Sequence, residues 1–158
     1  MALYLAATGG LAIILAIVTI VDIKRMVIPD WANACLLLLG VVSQTVLFEA
    51  DLVWVASSVL ALGGLFWAVR YLHRRATGRI GLGMGDVKMA AAAGAWVGLG
   101  AIPSFLLFSS VSALLAALGL RVFKRAAARD RLPFGPFLAA GLLACWLTNT
   151  LPNTAISL

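Results

Sequence analysis

Residues 3–21, LYLAATGGLAIILAIVTIV, form an apolar run that contains no charged side chain and ends directly at Asp22. A helix needs about 20 apolar residues to cross the hydrocarbon core of a bilayer, and this run is close to that length. No basic segment precedes the run, whereas a cleaved signal peptide would carry one. We therefore predict that residues 3–21 are retained as a first transmembrane helix.

The remainder of the chain repeats this pattern of long apolar runs. Five further runs lie at 33–48, 52–72, 87–102, 104–122 and 134–151. Of the 158 residues, 63% are hydrophobic and only 11% are charged, whereas soluble domains average about 25% charged residues. The sequence predicts an all-α integral membrane protein, with about six transmembrane helices bundled into a single domain over 1–158.

The basic residues predict how this bundle is oriented. All twelve lysine and arginine residues lie in or beside three connections that alternate along the chain. They are Lys24, Arg25, Arg70, Arg74, Arg75, Arg79, Lys88, Arg121, Lys124, Arg125, Arg129 and Arg131. Alternate connections of a six-span bundle face one side, which the positive-inside rule assigns to the cytoplasm. Both termini are then predicted to face outward, and no nucleic-acid partner is expected from the net charge of +6.

The fourth run, 87–102, differs from the others in length and composition. It would span about 24 Å as a helix, and it is rich in alanine and glycine. Small residues allow transmembrane helices to approach each other closely. We predict that this helix lies at the centre of the bundle.

Two of the six acidic residues are candidates for chemistry. Asp22 ends the first run and Asp86 begins the fourth, so the predicted topology puts both at the cytoplasmic face. Ionisable groups at membrane depth are costly and often functional. Two carboxylates held close together share a proton. Such a pair can hydrolyse a peptide bond by acid–base catalysis, without a metal ion or a covalent intermediate.

The residues around these acids add a weaker signal. Asp86 ends the segment 81–86, GLGMGD, whose three glycines permit left-handed backbone angles and close approach of a second chain. Alone, this pattern is equally compatible with a helix N-terminus behind a flexible loop. Asp30 stands at the start of the second run, and we predict that it caps that helix.

No metal site or cofactor is expected from the remaining polar residues. Cys35 and Cys145 lie within apolar runs, and we predict that both are buried and free. With one histidine, His73, they supply too few ligands for a zinc site.

Three segments together resemble the motifs of the type IV prepilin peptidases. Residues 22–31, DIKRMVIPDW, are similar to that family's first aspartate motif, in which an Ile/Leu-Pro-Asp/Asn element follows the aspartate. Residues 83–88, GMGDVK, look like its GxGD motif with a trailing lysine. Residues 132–137, LPFGPF, resemble a third element at the start of the last helix. With the apolar runs, the resemblance covers essentially the whole chain.

The resemblance implies a membrane-embedded aspartyl endopeptidase. Members of this family remove the short basic leader from prepilins or pseudopilins at the cytoplasmic face of the bacterial inner membrane. By that likeness, Asp22 and Asp86 would form the catalytic dyad. Gly83 and Gly85 would shape the approach to the dyad, and Lys88 would tune or orient it.

The same resemblance distinguishes two forms of the family. Larger members carry an extra N-terminal cytoplasmic region with paired cysteines, and they also methylate the new N-terminus. This chain resembles the short, peptidase-only form of the Flp (tight adherence) pilus systems, so no methyltransferase activity is expected. Archaeal preflagellin peptidases share these motifs.

Two other functions remain open at this point. A small proton-coupled transporter also uses intramembrane acids, although usually near the bilayer midplane. A catalytically silent secretion-system subunit would have the same helices, but the presence of both aspartates favours the peptidase.

Overall fold

The computed structural model describes residues 2–79, 81–122 and 133–155. Within these residues the chain forms six α-helices and no strand. The helices are α1 (Ala2–Arg25), α2 (Asp30–Leu47), α3 (Leu52–Thr77), α4 (Met84–Val97), α5 (Ile102–Val122) and α6 (Gly135–Ala155). The predicted all-α class is confirmed.

The lengths of the helices identify the membrane spans. Helices α1, α2 and α3 are long and apolar enough to cross a bilayer, as is Leu99–Arg121, which joins a short 3-10 turn to α5. In α6, the apolar stretch Gly135–Asn149 is shorter. Helix α4 has 14 residues, and it therefore covers about 21 Å of a hydrocarbon core roughly 30 Å thick. The protein is a polytopic membrane protein in which α4 is too short to span the bilayer alone.

The outward faces of the long helices carry large apolar side chains. Leu38, Leu60 and Leu114 are 65%, 74% and 68% exposed, respectively. Soluble monomers rarely expose contiguous apolar surface of this kind. Lipid is therefore the solvent that covers these faces.

Helix α4 lies at the centre of the bundle, as predicted. It packs against α2, α3 and α6, and nine of its residues are buried. Its small residues allow this packing, because a Cβ atom at Gly94 would lie 2.5 Å from the Ser58 carbonyl oxygen of α3. The predicted end at residue 102 was wrong. The helix stops at Val97, because Gly98 adopts a φ of +71° that breaks the helical backbone.

The connections gather at two opposite ends of the bundle. At one end, the Arg70 guanidinium on α3 donates to the carbonyl of Leu82, and Ile28 packs against Gly85 at the start of α4. At the other end, the Tyr4 hydroxyl donates to the carbonyl of Leu47 at 3.2 Å. The C-terminal ends of α1 and α3 therefore lie beside the N-terminal end of α4, as an alternating arrangement requires.

The membrane orientation of these two ends remains a prediction that labelling can test. In a variant lacking Cys35 and Cys145, a cysteine at Arg75 should react with an impermeant maleimide only after the membrane is permeabilised. A cysteine at Glu49, in the turn between α2 and α3, should react in intact spheroplasts. Labelling of position 75 from outside would overturn the outward placement of the termini. The predicted basic segment around 124–131 lies outside the described residues.

The two cysteines are both free, as predicted, but only one of them is buried. Cys145 lies inside the bundle, whereas Cys35 is on the exposed face of α2. The prediction that Cys35 is buried was wrong, because an apolar run does not specify which of its faces meets lipid and which meets protein.

Candidate active site

Asp22 is a buried carboxylate in the last turn of α1. Its side chain is 5% exposed, and its Oδ2 atom accepts a hydrogen bond of 2.8 Å from the backbone N–H of Gly135. Gly135 is the first residue of α6, where backbone N–H groups lack partners within the helix. The N-terminus of α6 therefore holds the Asp22 carboxylate in one position at the end of the bundle.

Asp86 lies in the first turn of α4 and is half-buried. Its Oδ2 atom accepts a hydrogen bond of 3.1 Å from the backbone N–H of Gly83, the residue that precedes the helix. This contact is one half of a capping box, in which a side chain three residues into a helix satisfies the backbone at its start. The hydrogen bond orients the carboxylate without using its second oxygen.

The two carboxylates lie at the same end of the bundle, in the last turn of α1 and the first turn of α4, and their like charges repel each other. Each has one oxygen that accepts from a backbone N–H, through Gly135 for Asp22 and through Gly83 for Asp86. The positively charged guanidinium of Arg70 on α3 attracts the Asp86 carboxylate, whereas the carboxylate of Asp22 repels it. Repulsion between two carboxylates favours one shared proton between the two groups. This arrangement can provide one acid and one base to the same reacting bond.

The glycines around Asp86 are needed for space rather than for unusual backbone angles. A Cβ atom on Gly83 would lie 2.8 Å from Oδ2 of Asp86, and one on Gly85 would lie 3.2 Å from Cβ of Ile28. Gly83 has a φ of −66°, which any residue adopts. The prediction of close approach is confirmed for Gly85, whereas no left-handed angle is found at Gly83 or Gly85.

Asp30 and Lys88 form an ion pair that the sequence did not predict. The residue before α2 is Pro29, and no side-chain cap is present there. Asp30 instead accepts from the Nζ atom of Lys88 at 2.7 Å. The predicted capping role of Asp30 was therefore wrong. Lys88 lies one turn beyond the start of α4 and joins that start to α2, with both side chains substantially exposed.

Three residues at this end of the bundle were not assigned to the site from the sequence. Gly135 donates to Asp22, Arg70 acts on Asp86, and the Asn33 side chain donates to the carbonyl of Gly85 at 3.5 Å. Gly135 lies within the third motif, LPFGPF, which gave a signal that it belongs near the site. Arg70 and Asn33 lie outside the three motif segments, so the sequence near them does not indicate that they belong to the site.

No group of three or more metal-binding side chains is found in 2–79, 81–122 and 133–155.

The chain also resembles known proteins over most of its length. The model of the type IV leader peptidase family matches residues 10–118, which include both Asp22 and Asp86. The chain belongs to the type IV leader peptidase family. The matched region contains the ends of α1 and α4 that carry the two carboxylates.

Several relatives are named prepilin leader peptidase/N-methyltransferase. One from Pectobacterium carotovorum subsp. carotovorum is 36% identical over 143 residues, covering 87% of this chain and 50% of the relative. One from Aeromonas hydrophila is 33% identical, covering 85% and 45%. One from Burkholderia pseudomallei (strain 1026b) is 36% identical, covering 87% and 44%. The chain thus spans about half the length of these relatives, and no solved structure matches it.

Proposed function

We propose that this chain is an aspartyl endopeptidase that removes the short basic leader from a prepilin or pseudopilin. The observation that carries the proposal is the pair Asp22 and Asp86, drawn from two different helices to one end of a membrane bundle. Family membership and the peptidase activity in the relatives' names support the same function. The proposed setting is the cytoplasmic face of a bacterial inner membrane, supported by the basic residues at that end.

The proposed reaction is the addition of water to a peptide carbonyl between the two carboxylates. The ionised member of the pair accepts a proton from water, while the protonated member donates one to the carbonyl oxygen. Collapse of the tetrahedral intermediate then breaks the C–N bond, as the carboxyl group that took water's proton gives it to the leaving amine and the other carboxylate takes a proton from a hydroxyl of the intermediate. Each step uses a group whose protonation state suits it, which is the general requirement of acid–base catalysis.

The surroundings of the two carboxylates support these roles. Burial excludes bulk water around Asp22 and strengthens electrostatic interactions there. The backbone N–H groups of Gly135 and Gly83 fix one oxygen of each carboxylate, leaving the other oxygens for substrate and water. Preorganised groups of this kind do not have to reorient during the reaction.

The experiment that tests the function is co-expression of this chain with candidate prepilins from the same genome, followed by N-terminal sequencing of the product. We expect one prepilin to lose its leader, leaving an apolar helix with a new N-terminus. A transporter or a silent subunit would leave every prepilin at full length. Failure of the purified protein to cleave any of them in proteoliposomes would contradict the proposal.

For the second activity in the relatives' names we make a separate prediction. We propose that this chain hydrolyses the leader without methylating the product, consistent with its likeness to the peptidase-only form of the family. Mass spectrometry of a pilin processed by the purified protein, with S-adenosylmethionine present, should give the mass of an unmodified N-terminus. The gain of one methyl group would refute this prediction and leave the peptidase proposal intact.

A further inference from the structure

Asn33 is a buried polar residue whose side chain uses only part of its hydrogen-bonding capacity within the fold. It lies in the first turns of α2, where its backbone N–H donates to the carbonyl of Pro29 at 3.3 Å. Its side chain is among the buried polar groups, at 5% exposure. A buried amide normally has partners for both its donor and its acceptor atoms.

The donor atom of this side chain reaches the site. Nδ2 donates to the carbonyl of Gly85, one peptide before Asp86, at 3.5 Å. Because a carbonyl oxygen only accepts hydrogen bonds, this contact also fixes which end of the amide faces α4. The acceptor atom Oδ1 is buried and has no hydrogen-bond partner among the described residues. Leaving a buried acceptor unpaired is costly, and such atoms need an explanation in a folded protein.

The substrate of a peptidase offers a partner for this acceptor. A peptide bond is cleaved from an extended segment, so the N–H groups near it lose their helical partners and need acceptors when they leave water. The first turn of α4 presents N–H groups rather than carbonyls. The carboxylate oxygens of Asp22 and Asp86 are engaged by backbone donors and by the reaction. Oδ1 of Asn33 is therefore a spare acceptor at this end of the bundle, and because it is enclosed in this structure, a bound peptide reaches it only as neighbouring groups move apart.

We propose that Asn33 is a substrate-binding residue whose Nδ2 atom holds the start of α4 and whose Oδ1 atom accepts a hydrogen bond from a backbone N–H of the bound peptide. This inference rests on the proposed peptidase function. The proposed hydrogen bond recognises the backbone of the substrate. It therefore does not depend on which side chains flank the cleaved bond.

The test is a double-mutant cycle. One change is the substitution of Asn33, and the other is the removal of a single backbone N–H group from the substrate. Synthetic peptides spanning the cleavage site of the prepilin found by co-expression are made with one non-scissile amide at a time replaced by an ester. Each ester removes one N–H donor. With the wild-type protein, we expect one ester position to lower kcat/KM by about tenfold, as for loss of one hydrogen bond. With Asn33→Leu, which has a similar shape and no polar atom, the same ester should have no effect.

The control is Ser43→Ala, which changes another buried polar residue of α2, farther along the helix. It should retain the wild-type loss at the sensitive ester. For each variant, kcat/KM for the ester substrate is divided by kcat/KM for the amide substrate. A smaller fraction of folded protein lowers both values equally and therefore leaves this ratio unchanged. An equal loss at every ester position in wild type and Asn33→Leu would overturn the proposal.

The two proposals fail in different ways. If no peptide is cleaved, or if Asp22→Asn cleaves normally, the peptidase mechanism itself is wrong. If wild type cleaves the amide peptide, Asp22→Asn does not, and the ester series is unchanged by Asn33→Leu, only the role of Asn33 is wrong.

Discussion

Asp22→Asn and Asp86→Asn are each expected to abolish cleavage while leaving the protein folded. An amide cannot take a proton from water or donate one from a carboxyl group, and a catalytic acid or base contributes about 10²- to 10⁴-fold to the rate. Cleavage of a prepilin by each purified variant, measured against wild type, checks this expectation. The melting temperature in detergent should change little.

The structure explains why folding should survive these changes. Asparagine has nearly the shape of aspartate, and its Oδ1 atom can still accept from the N–H of Gly135 at position 22 or of Gly83 at position 86. The electrostatic interaction between the two carboxylates is removed at the same time. The loss of rate is therefore expected without loss of the contacts that hold the ends of α1 and α4.

The double variant separates a catalytic pair from two independent residues. Residues that act as one unit give losses that do not add. Asp22→Asn with Asp86→Asn should therefore be scarcely slower than either single variant. Cleavage at the wild-type rate by either single variant would exclude the aspartyl mechanism.

The appropriate control for this experiment is Asp51→Asn. Asp51 caps α3 by accepting from the N–H of Val53 at 2.9 Å, at the end of the bundle away from Asp22. Asparagine caps helices about as well as aspartate, so activity and stability should both be retained. Asp30→Asn is a poor control, because it would remove the negative charge that Lys88 contacts.

The sequence predicted those parts of the fold that depend on composition and on the alternation of basic and non-basic connections along the chain. Long apolar runs predicted the helices, and the basic connections predicted that the ends carrying Asp22 and Asp86 lie together. Both inferences use rules that do not require knowledge of any particular side-chain contact. The central place of α4 followed in the same way from its small residues.

The contacts that hold the carboxylates could not be predicted in this way. The donor to Asp22 is 113 residues away in the chain, and Asp30 is 58 residues from Lys88. Pairing at such separations is decided by how the helices pack. The sequence favoured a cap for Asp30 because aspartate is common at helix starts. Because α2 begins at Asp30 and Pro29 occupies the cap position, the Asp30 carboxylate instead accepts from its neighbour on α4.

Gly135→Ala is expected to lower cleavage by about 100-fold or more, although it lies outside the pair of carboxylates. A misplacement of about 1 Å at a reacting group costs this much. The added Cβ atom would lie 2.7 Å from Oδ2, 3.1 Å from Cγ and 3.2 Å from Cβ of Asp22. Asp22 is buried, so its carboxylate has no adjacent solvent into which it can retreat. Either Asp22 or the start of α6 must shift, and the 2.8 Å hydrogen bond between them is then lost.

The control for Gly135→Ala is Gly119→Ala, because a Cβ atom at Gly119 in α5 would meet nothing within 4 Å. That variant should cleave at the wild-type rate. In an Asp22→Asn background, Gly135→Ala should cause no further loss, because it acts through a carboxylate that is already absent. Cleavage within about twofold of wild type by Gly135→Ala alone, where a 100-fold loss is expected, would contradict this account. Asp22 would then tolerate displacement, and the N–H of Gly135 would not be what positions it for catalysis.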